Sequence, residues 1–258
     1  MPRARPIFAV SSLPLLGAGF LLLQVRRAAH RDDLPSFANQ DISGAFGDPA
    51  SPPLRLVAVG DSSLTAPGIN DLDSVWLRRL ARRYAESHRV ELISLGVGGS
   101  RARDVVEGQL DAAVSLRPDI AVVTVGSNDA IRTTSVRRFT ADMERIVSCL
   151  EAVSGAVVVL GMGDLGSIPR LPPSLRPYLS RRSRGFDGAC VKVAVAHPHT
   201  VKVHTRGRMV AAFWENQALF APDLFHASER GHAVFAAEAA SAFEAAYRIA
   251  LRRRAARS

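Results

Sequence analysis

Short apolar runs alternate with amphipathic segments along most of the chain. The runs are rich in valine, isoleucine and leucine, a composition typical of buried strands. They span residues 54–59, 90–95, 120–125, 156–160 and 201–204. Apolar residues recur at helical spacing within 75–87, 136–153 and 186–196, and a last helix is predicted from Gly231 onward.

Strands that alternate with helices predict an α/β fold, in which a parallel sheet is covered by helices on both faces. Functional residues of such folds gather where the strands end, at the carboxyl edge of the sheet. A motif is therefore a stronger candidate for chemistry if it directly follows a predicted strand.

An apolar segment near the N-terminus, residues 6–25, contains no charged residue. Twenty helical residues at ~1.5 Å each would cover the ~30 Å core of a bilayer. We expect residues 1–31 to be a membrane anchor or an export signal, and we favour the anchor because no clear cleavage site follows. Arginines flank both sides, so they do not distinguish the two faces of the membrane. Residues 32–53 lack periodicity and predict a linker, which leaves 54–258 as the folded domain.

Ser62 is the first candidate for chemistry, in the sequence Gly60-Asp61-Ser62-Ser63 directly after the first strand. A glycine there allows a sharp turn, and a serine at the start of a following helix would lie in its positive end. Asp61 or Ser62 could equally be an ordinary helix N-cap.

Two further motifs follow the second and third strands. Gly96-Val97-Gly98-Gly99 can bring a backbone N–H close to a ligand, although a tight turn would explain it as well. Gly126-Ser127-Asn128 places an amide side chain at a strand end, where it could hold an oxyanion or simply form a turn.

The last motif is Asp223-Leu224-Phe225-His226, between the final strand and the last helix. A carboxylate three residues before a histidine can reach back to its Nδ1–H. The imidazole Nε2 would then be free to accept a proton from a serine hydroxyl.

These four motifs, in this order, resemble the blocks of the SGNH hydrolases, also called the GDSL family of esterases and lipases. The resemblance covers about 54–249. It implies a flavodoxin-like three-layer α/β/α sandwich with a five-stranded parallel sheet, preceded here by the N-terminal hydrophobic helix. It also implies cofactor-free and metal-free hydrolysis of carboxylic esters or thioesters.

Carried over residue by residue, the resemblance implies a triad of Ser62, Asp223 and His226 that acts through an acyl-enzyme. The oxyanion would be held by Ser62, Gly99 and Asn128, with Gly98 as an alternative to Gly99. Two departures from hydrolysis stay open, namely an acyltransferase that uses the same triad and a non-catalytic membrane-tethered binding domain.

The family signature usually reads Gly-Asp-Ser-Leu, whereas Ser63 occupies the leucine position here. The chain has no Gly-x-Ser-x-Gly motif, which argues against a nucleophile elbow of the other large serine-esterase fold.

The net charge of +9 would suit an anionic partner, but no aromatic residues interleave with the arginine clusters, so nucleic-acid binding is not expected. Cys149 and Cys190 predict either two free thiols or one disulfide. We expect no metal site at His197, His199 and His204. His88 and His232 are expected at ordinary surface or partly buried positions, and Trp76 is expected in the core. The substrate pocket is expected to be shaped by the loops 65–74, 132–135 and 163–177. The oligomeric state is not predicted.

Overall fold

The computed structural model describes residues 33–132 and 134–256. The apolar segment 6–25, and with it the predicted anchor, lies outside the described residues. Within the described ranges, no helix combines the length and the apolar character needed to cross a bilayer.

A single six-stranded sheet forms the centre of the molecule. Its strands are β1 (Gly44–Phe46), β2 (Pro53–Gly60), β3 (Arg89–Ser94), β4 (Ile120–Thr124), β5 (Ala156–Val159) and β6 (Thr200–Lys202). Their order across the sheet is β1-β3-β2-β4-β5-β6. The five strands β2 to β6 are parallel, and β1 pairs antiparallel with β3.

Eight α-helices are found among the described residues. They are α1 (Trp76–Tyr84), α2 (Ala102–Gly108), α3 (Leu110–Ser115), α4 (Ser127–Ile131), α5 (Val136–Val153), α6 (Arg176–Ala196), α7 (Arg208–Glu215) and α8 (Glu229–Ala255). Short 3-10 turns occur at Ser62–Leu64, Leu72–Ser74, Leu165–Ser167, Pro173–Leu175 and Gln217–Leu219.

The helices cover both faces of the sheet and give three layers. Alternate residues of β2 point to opposite faces, as the strand period of two requires. Leu56 packs in the core beneath α1 and α8, together with the buried Trp76 and Phe243. Val57 packs in the second core, beneath α2, α3, α5 and α6. Both faces of the central strands are therefore dry, which explains their nearly continuous apolar sequences.

The prediction of a five-stranded sheet is wrong by one strand. β1 lies in the segment 32–53, where the sequence has no periodic pattern, and it pairs through Ala45 with Glu91 of β3. Ile42, just before it, is fully buried. A three-residue edge strand is too short to show alternation in the sequence. Part of the predicted linker is thus packed against the domain.

The helix predicted at 136–153 has the same bounds in the structure, whereas α6 starts at Arg176, ten residues before its predicted start. Prolines at 172, 173 and 177 predict a loop there. However, Pro177 lies in the first turn of α6, where a missing backbone N–H costs no hydrogen bond.

Candidate active site

The order of the strands brings three of the four motifs side by side. β2 lies between β3 and β4, and all three run parallel, so their carboxyl ends share one edge of the sheet. Ser62 follows the central strand. Gly99 follows the strand on one side and Asn128 follows the strand on the other. The topology therefore places a hydroxyl between two candidate oxyanion donors.

Ser62 begins a 3-10 turn of three residues, not an α-helix. The expectation that it lies in the positive end of a helix is wrong, because a single turn has little dipole and the next α-helix starts only at Trp76. Asp61 is the N-cap of this turn, and its side chain accepts a hydrogen bond from the Ser63 N–H. Gly60, at φ +154°, lies so close to the Thr124 carbonyl that a Cβ would overlap it.

A buried glutamine joins the nucleophile strand to the neighbouring loop. The Gln109 side chain accepts from Gly60 N at 2.7 Å and donates to Gly60 O at 2.9 Å. The same amide nitrogen also lies 3.3 Å from the Ser100 hydroxyl. Gln109 is 3% exposed, so its hydrogen bonds are shielded from water and hold the end of β2 in place.

The glycine loop adopts a conformation that exposes backbone donors. Gly99 has φ +83°, the left-handed region that favours glycine, whereas a Cβ on Gly98 would collide with the Asn39 side chain. The backbone N–H groups of Ser62 and Gly99 donate to no other group in the described part of the chain. Two donors at the edge of the site are therefore available to a ligand.

The Asn128 amide donates to the Ser100 carbonyl at 3.2 Å, which ties it to the glycine loop. Asp129, next to it, is buried and accepts a hydrogen bond from Ala102 N at 2.8 Å. Arg182 of α6 donates to the Ala130 carbonyl at 2.8 Å. The Ser100 carbonyl thus orients the Asn128 amide, and the next two residues are fixed by α2 and α6.

Asp223 and His226 form a short hydrogen bond, with Oδ2 and Nδ1 2.6 Å apart. The other carboxylate oxygen accepts from the backbone N–H groups of Phe225 and His226, both at 3.0 Å. Burial opposes ionisation of Asp223, but these three hydrogen bonds outweigh it and hold its pKa below the usual range. The ionised carboxylate accepts the Nδ1–H, so Nε2 of a neutral His226 carries no proton.

Leu224 lets this turn close, because its φ of +57° reverses the chain between the carboxylate and the imidazole. The turn is anchored by a hydrogen bond from Ala221 N to His226 O at 2.7 Å and by a bridge between Phe220 and Ala227. A non-glycine residue in this region costs ~1–2 kcal/mol, which the surrounding hydrogen bonds offset.

Ser62 and His226 both line one cavity of about 160 Å³. Asp61, Ser63 and Ser127 also line it, whereas Gly99 and Asn128 are not among its lining residues. Most of the remaining wall is apolar. Its apolar side chains are Pro67, Val125, Leu160, Leu165, Ile168, Met209, Val210, Phe213, Phe220, Phe225 and Phe235.

Two of the three loops expected to shape the pocket contribute to it, one through Pro67 and the other through Gly163, Asp164, Leu165, Ser167 and Ile168. The described residues of the loop 132–135 provide no lining residue. The sequence interpretation missed α7, which adds Met209, Val210 and Phe213. The interpretation of His232 as an ordinary surface or partly buried residue is also wrong, because His232 is 2% exposed and lines the cavity. The only sequence signal for His232 is its place one turn after the start of α8.

The remaining predictions concern residues away from the catalytic groups. Trp76 is fully buried, as expected for a core residue, and its Nε1–H donates to the Ser63 carbonyl at 3.0 Å. Cys149 and Cys190 are free thiols, so no disulfide joins them. The His197 ring lies between Glu144 and Glu151, at 2.8 and 2.9 Å, in a partly buried cluster.

A serine beside a carboxylate-held histidine, at the carboxyl edge of a parallel sheet, is typical of hydrolases that cleave esters. The model of the GDSL-like lipase/acylhydrolase family matches residues 58–234. The chain belongs to this family.

A GDSL-like esterase of Mycobacterium tuberculosis (strain ATCC 25618 / H37Rv) is 29% identical over 195 residues, and the match covers 71% of this chain and 59% of the esterase. The chain thus spans less than two thirds of that relative's length. Among solved structures, TesA superposes with a TM-score of 0.62 at 20% identity, over 76% of this chain and 99% of TesA. A lipase/acylhydrolase from Enterococcus faecalis gives 0.57 at 20% identity, over 73% and 94% of the two chains. These two likenesses show the fold.

Proposed function

We propose that this chain hydrolyses carboxylic esters or thioesters through an acyl-enzyme on Ser62, with His226 as the base and Asp223 as its partner. The observation that carries the proposal is the 2.6 Å hydrogen bond between Asp223 and His226, on a histidine that shares its cavity with Ser62. A histidine held in this way presents Nε2 as a proton acceptor.

In the first step, the Ser62 Oγ attacks the ester carbonyl carbon while His226 Nε2 takes its proton. The imidazolium that forms is stabilised by the Asp223 carboxylate. The tetrahedral intermediate then collapses, and the same Nε2–H protonates the leaving alcohol or thiol. Water then attacks the carbonyl carbon of the acyl-enzyme while Nε2 takes its proton. The bond to Ser62 Oγ breaks, Nε2–H returns the proton to Oγ, and the acid is released.

The negative charge on the attacked oxygen needs donors that are already in place. The backbone N–H groups of Ser62 and Gly99 have no partner in the described part of the chain, and Asn128 uses one N–H of its amide on Ser100. We assign these three groups to the oxyanion. Each donor of this kind is worth about 10²–10³ in turnover.

The apolar wall of the cavity favours an acyl group as its occupant. Ile168, Met209 and Phe213 are among the side chains that give this wall its carbon surface. Burying an apolar chain there gains about 0.8 kcal/mol for each CH₂. Esters with an apolar acyl chain should therefore bind better than acetyl esters of the same alcohol.

The test is hydrolysis of p-nitrophenyl butyrate and of a butyryl thioester by purified protein. Ser62→Ala should lower turnover by about 10³-fold or more, the scale found when a serine nucleophile is removed. Ser63→Ala is the matched control, and we expect it to stay within about tenfold of the wild type. Unchanged hydrolysis by Ser62→Ala would contradict the proposal.

We also propose, from the sequence alone, that residues 6–25 attach the domain to a membrane or direct its export. The measurement is fractionation of cells that express the full chain or a chain starting at residue 32. Equal distribution of the two proteins would contradict this proposal.

A further inference from the structure

His232 is a buried histidine that the proposed mechanism does not use. It lies near the start of α8, is 2% exposed, and is among the residues that line the active-site cavity. Its ring packs edge-on against Phe235, at 5.8 Å between centroids. A polar ring in an otherwise apolar part of the wall calls for a physical explanation, because burial of an unpaired donor or acceptor is costly.

The contact at Nδ1 determines the tautomer of His232. The backbone N–H of Trp76 points to Nδ1 at 3.4 Å, and a nitrogen that accepts this hydrogen bond carries no proton. Burial, followed by the nearby Arg79 cation, lowers the pKa of His232 to about 4, so the ring is neutral at pH 7. The one proton of the neutral ring is therefore on Nε2.

This Nε2–H has no acceptor in the described part of the chain. Nε2 is not fully enclosed by protein atoms. Because His232 lines the cavity, we infer that its N–H faces the cavity. The neighbouring ring of Phe235 offers no acceptor to it. A donor that opens onto a substrate cavity and is satisfied by nothing in the described protein indicates a polar atom of a ligand.

We propose that His232 is a substrate-binding residue whose Nε2–H donates a hydrogen bond to a second oxygen, carried by the acyl group of the ester. The inference rests on the proposed function, since it places the acyl group of a Ser62-bound ester in this cavity. The substrate class is then an ester of an oxygenated acid, with a hydroxyl, ether or keto oxygen in the acyl chain.

The cavity also limits the size of this acyl group. Its volume is about 160 Å³. An engineered cavity of about 150 Å³ in another protein binds benzene, so the space accommodates roughly six non-hydrogen atoms. The acyl group is thus a short or medium chain that contains one oxygen.

The test compares p-nitrophenyl hexanoate with its three isosteres in which an ether oxygen replaces the CH₂ at position 3, 4 or 5. The concentration of active sites is determined by titration with a fluorophosphonate, and kcat/KM is calculated from it for each ester. Each kcat/KM is then divided by the rate constant of alkaline hydrolysis of the same ester, which corrects for the intrinsic reactivity of that ester. The wild type should prefer one oxygen position by about tenfold over hexanoate, mainly through KM. A flat profile would overturn the inference.

His232→Phe removes the donor and should reduce this preference by about tenfold. Phe235→Leu is the matched control, because it changes the same wall without removing a polar atom, and its preference should equal that of the wild type. An unchanged preference in His232→Phe, or an equal loss in Phe235→Leu, would refute the role of the donor. If the His232→Phe variant does not fold, His232→Leu replaces it. If neither variant folds, the preference of the wild type among the four esters decides alone.

The result separates the two proposals. If wild-type protein hydrolyses none of these esters and does not react with the fluorophosphonate, the proposed function fails. If it hydrolyses all four esters without preference, the proposed function stands and the inference about His232 fails.

Discussion

Two buried carboxylates flank the site and differ in their ionisation. Asp61 precedes the candidate nucleophile and is 5% exposed, and Asp223 faces His226 and is 2% exposed. Burial raises the pKa of Asp61 to about 6, against which the two hydrogen bonds from Ser63 are insufficient. Asp223 is also shielded from solvent but lies less deeply in the protein, and hydrogen bonds from one imidazole and two backbone N–H groups hold its pKa below the usual range.

The difference shows that the depth of a carboxyl group and the donors around it together decide whether its charge persists. The turn at 223–226 supplies them because Leu224 reverses the chain and points two N–H groups inward. The turn at 61–63 supplies only one N–H and one hydroxyl, both from Ser63. Asp223 is accordingly a permanent anion that can stabilise an imidazolium, whereas Asp61 caps a turn.

The largest expected effect is on catalysis by Asp223→Asn. An asparagine amide at this position would donate to Nδ1, which leaves the proton of His226 on Nε2 and removes the base. The corresponding change in other serine hydrolases lowers kcat by about 10⁴. Turnover of p-nitrophenyl butyrate at pH 8 measures this. A loss below tenfold would mean that Asp223 is not the partner of a catalytic base.

Asp61→Asn should have a much smaller effect on catalysis, less than about tenfold at pH 8, because the amide oxygen can still cap the Ser63 N–H. The same assay under the same conditions gives the ratio of the two variants. If Asp61→Asn is as inactive as Asp223→Asn, the charge of Asp61 takes part in the reaction and the contrast between the two carboxylates is wrong.

The stability of the two variants should depend on pH in opposite directions. The pKa of Asp61 is about 6 in the fold and about 3.8 when unfolded, so the native state loses stability as the pH rises from about 4 to about 6. At ~1.36 kcal/mol for each pKa unit, the loss amounts to about 3 kcal/mol. Relative to wild type, Asp61→Asn should therefore gain stability between pH 4 and pH 8, as measured by chemical denaturation.

For Asp223, the contribution is present above the unfolded pKa and is lost as the pH falls through the lower pKa of the folded state. Asp223→Asn should therefore be less stable than wild type at pH 8, and the difference should shrink below pH 4. Parallel curves for wild type and both variants would show that neither carboxyl group changes its pKa on folding.

Much of the site could be predicted because its chemistry is local in the sequence. Ser62, Asn128 and the Asp223–His226 pair each follow a recognisable strand or precede a helix, and a parallel sheet brings such ends together. Gln109 and His232 could not be predicted, since their partners Gly60 and Trp76 lie 49 and 156 residues away. No periodicity encodes contacts at that distance.

The fold shows the same limit. The buried strands β2, β4 and β5 can be predicted from their apolar runs, because both of their faces are covered. The edge strand β1 cannot, because three residues carry no pattern. The start of α6 could not be predicted, because Pro172 and Pro173 precede the helix and Pro177 is tolerated only in its first turn.

The smallest expected effect comes from Leu224→Gly. Glycine adopts the φ of +57° without the Cβ penalty, but it also adds freedom to the unfolded chain. The two terms nearly cancel, so the free energy of unfolding should change by less than about 1 kcal/mol. Denaturation at pH 8 measures the change. A loss of several kcal/mol would mean that the Leu224 side chain, not its backbone, holds the turn.

The central claim is that Ser62 is the nucleophile and that His226 activates it. Its most direct test is reaction of the folded protein with a fluorophosphonate, followed by peptide mapping, because the chain offers the adjacent Ser63 as an internal comparison. The account predicts a single adduct on Ser62 that is absent in Ser62→Ala and strongly reduced in His226→Ala. An adduct on Ser63 or elsewhere, or labelling that persists unchanged without His226, would contradict it.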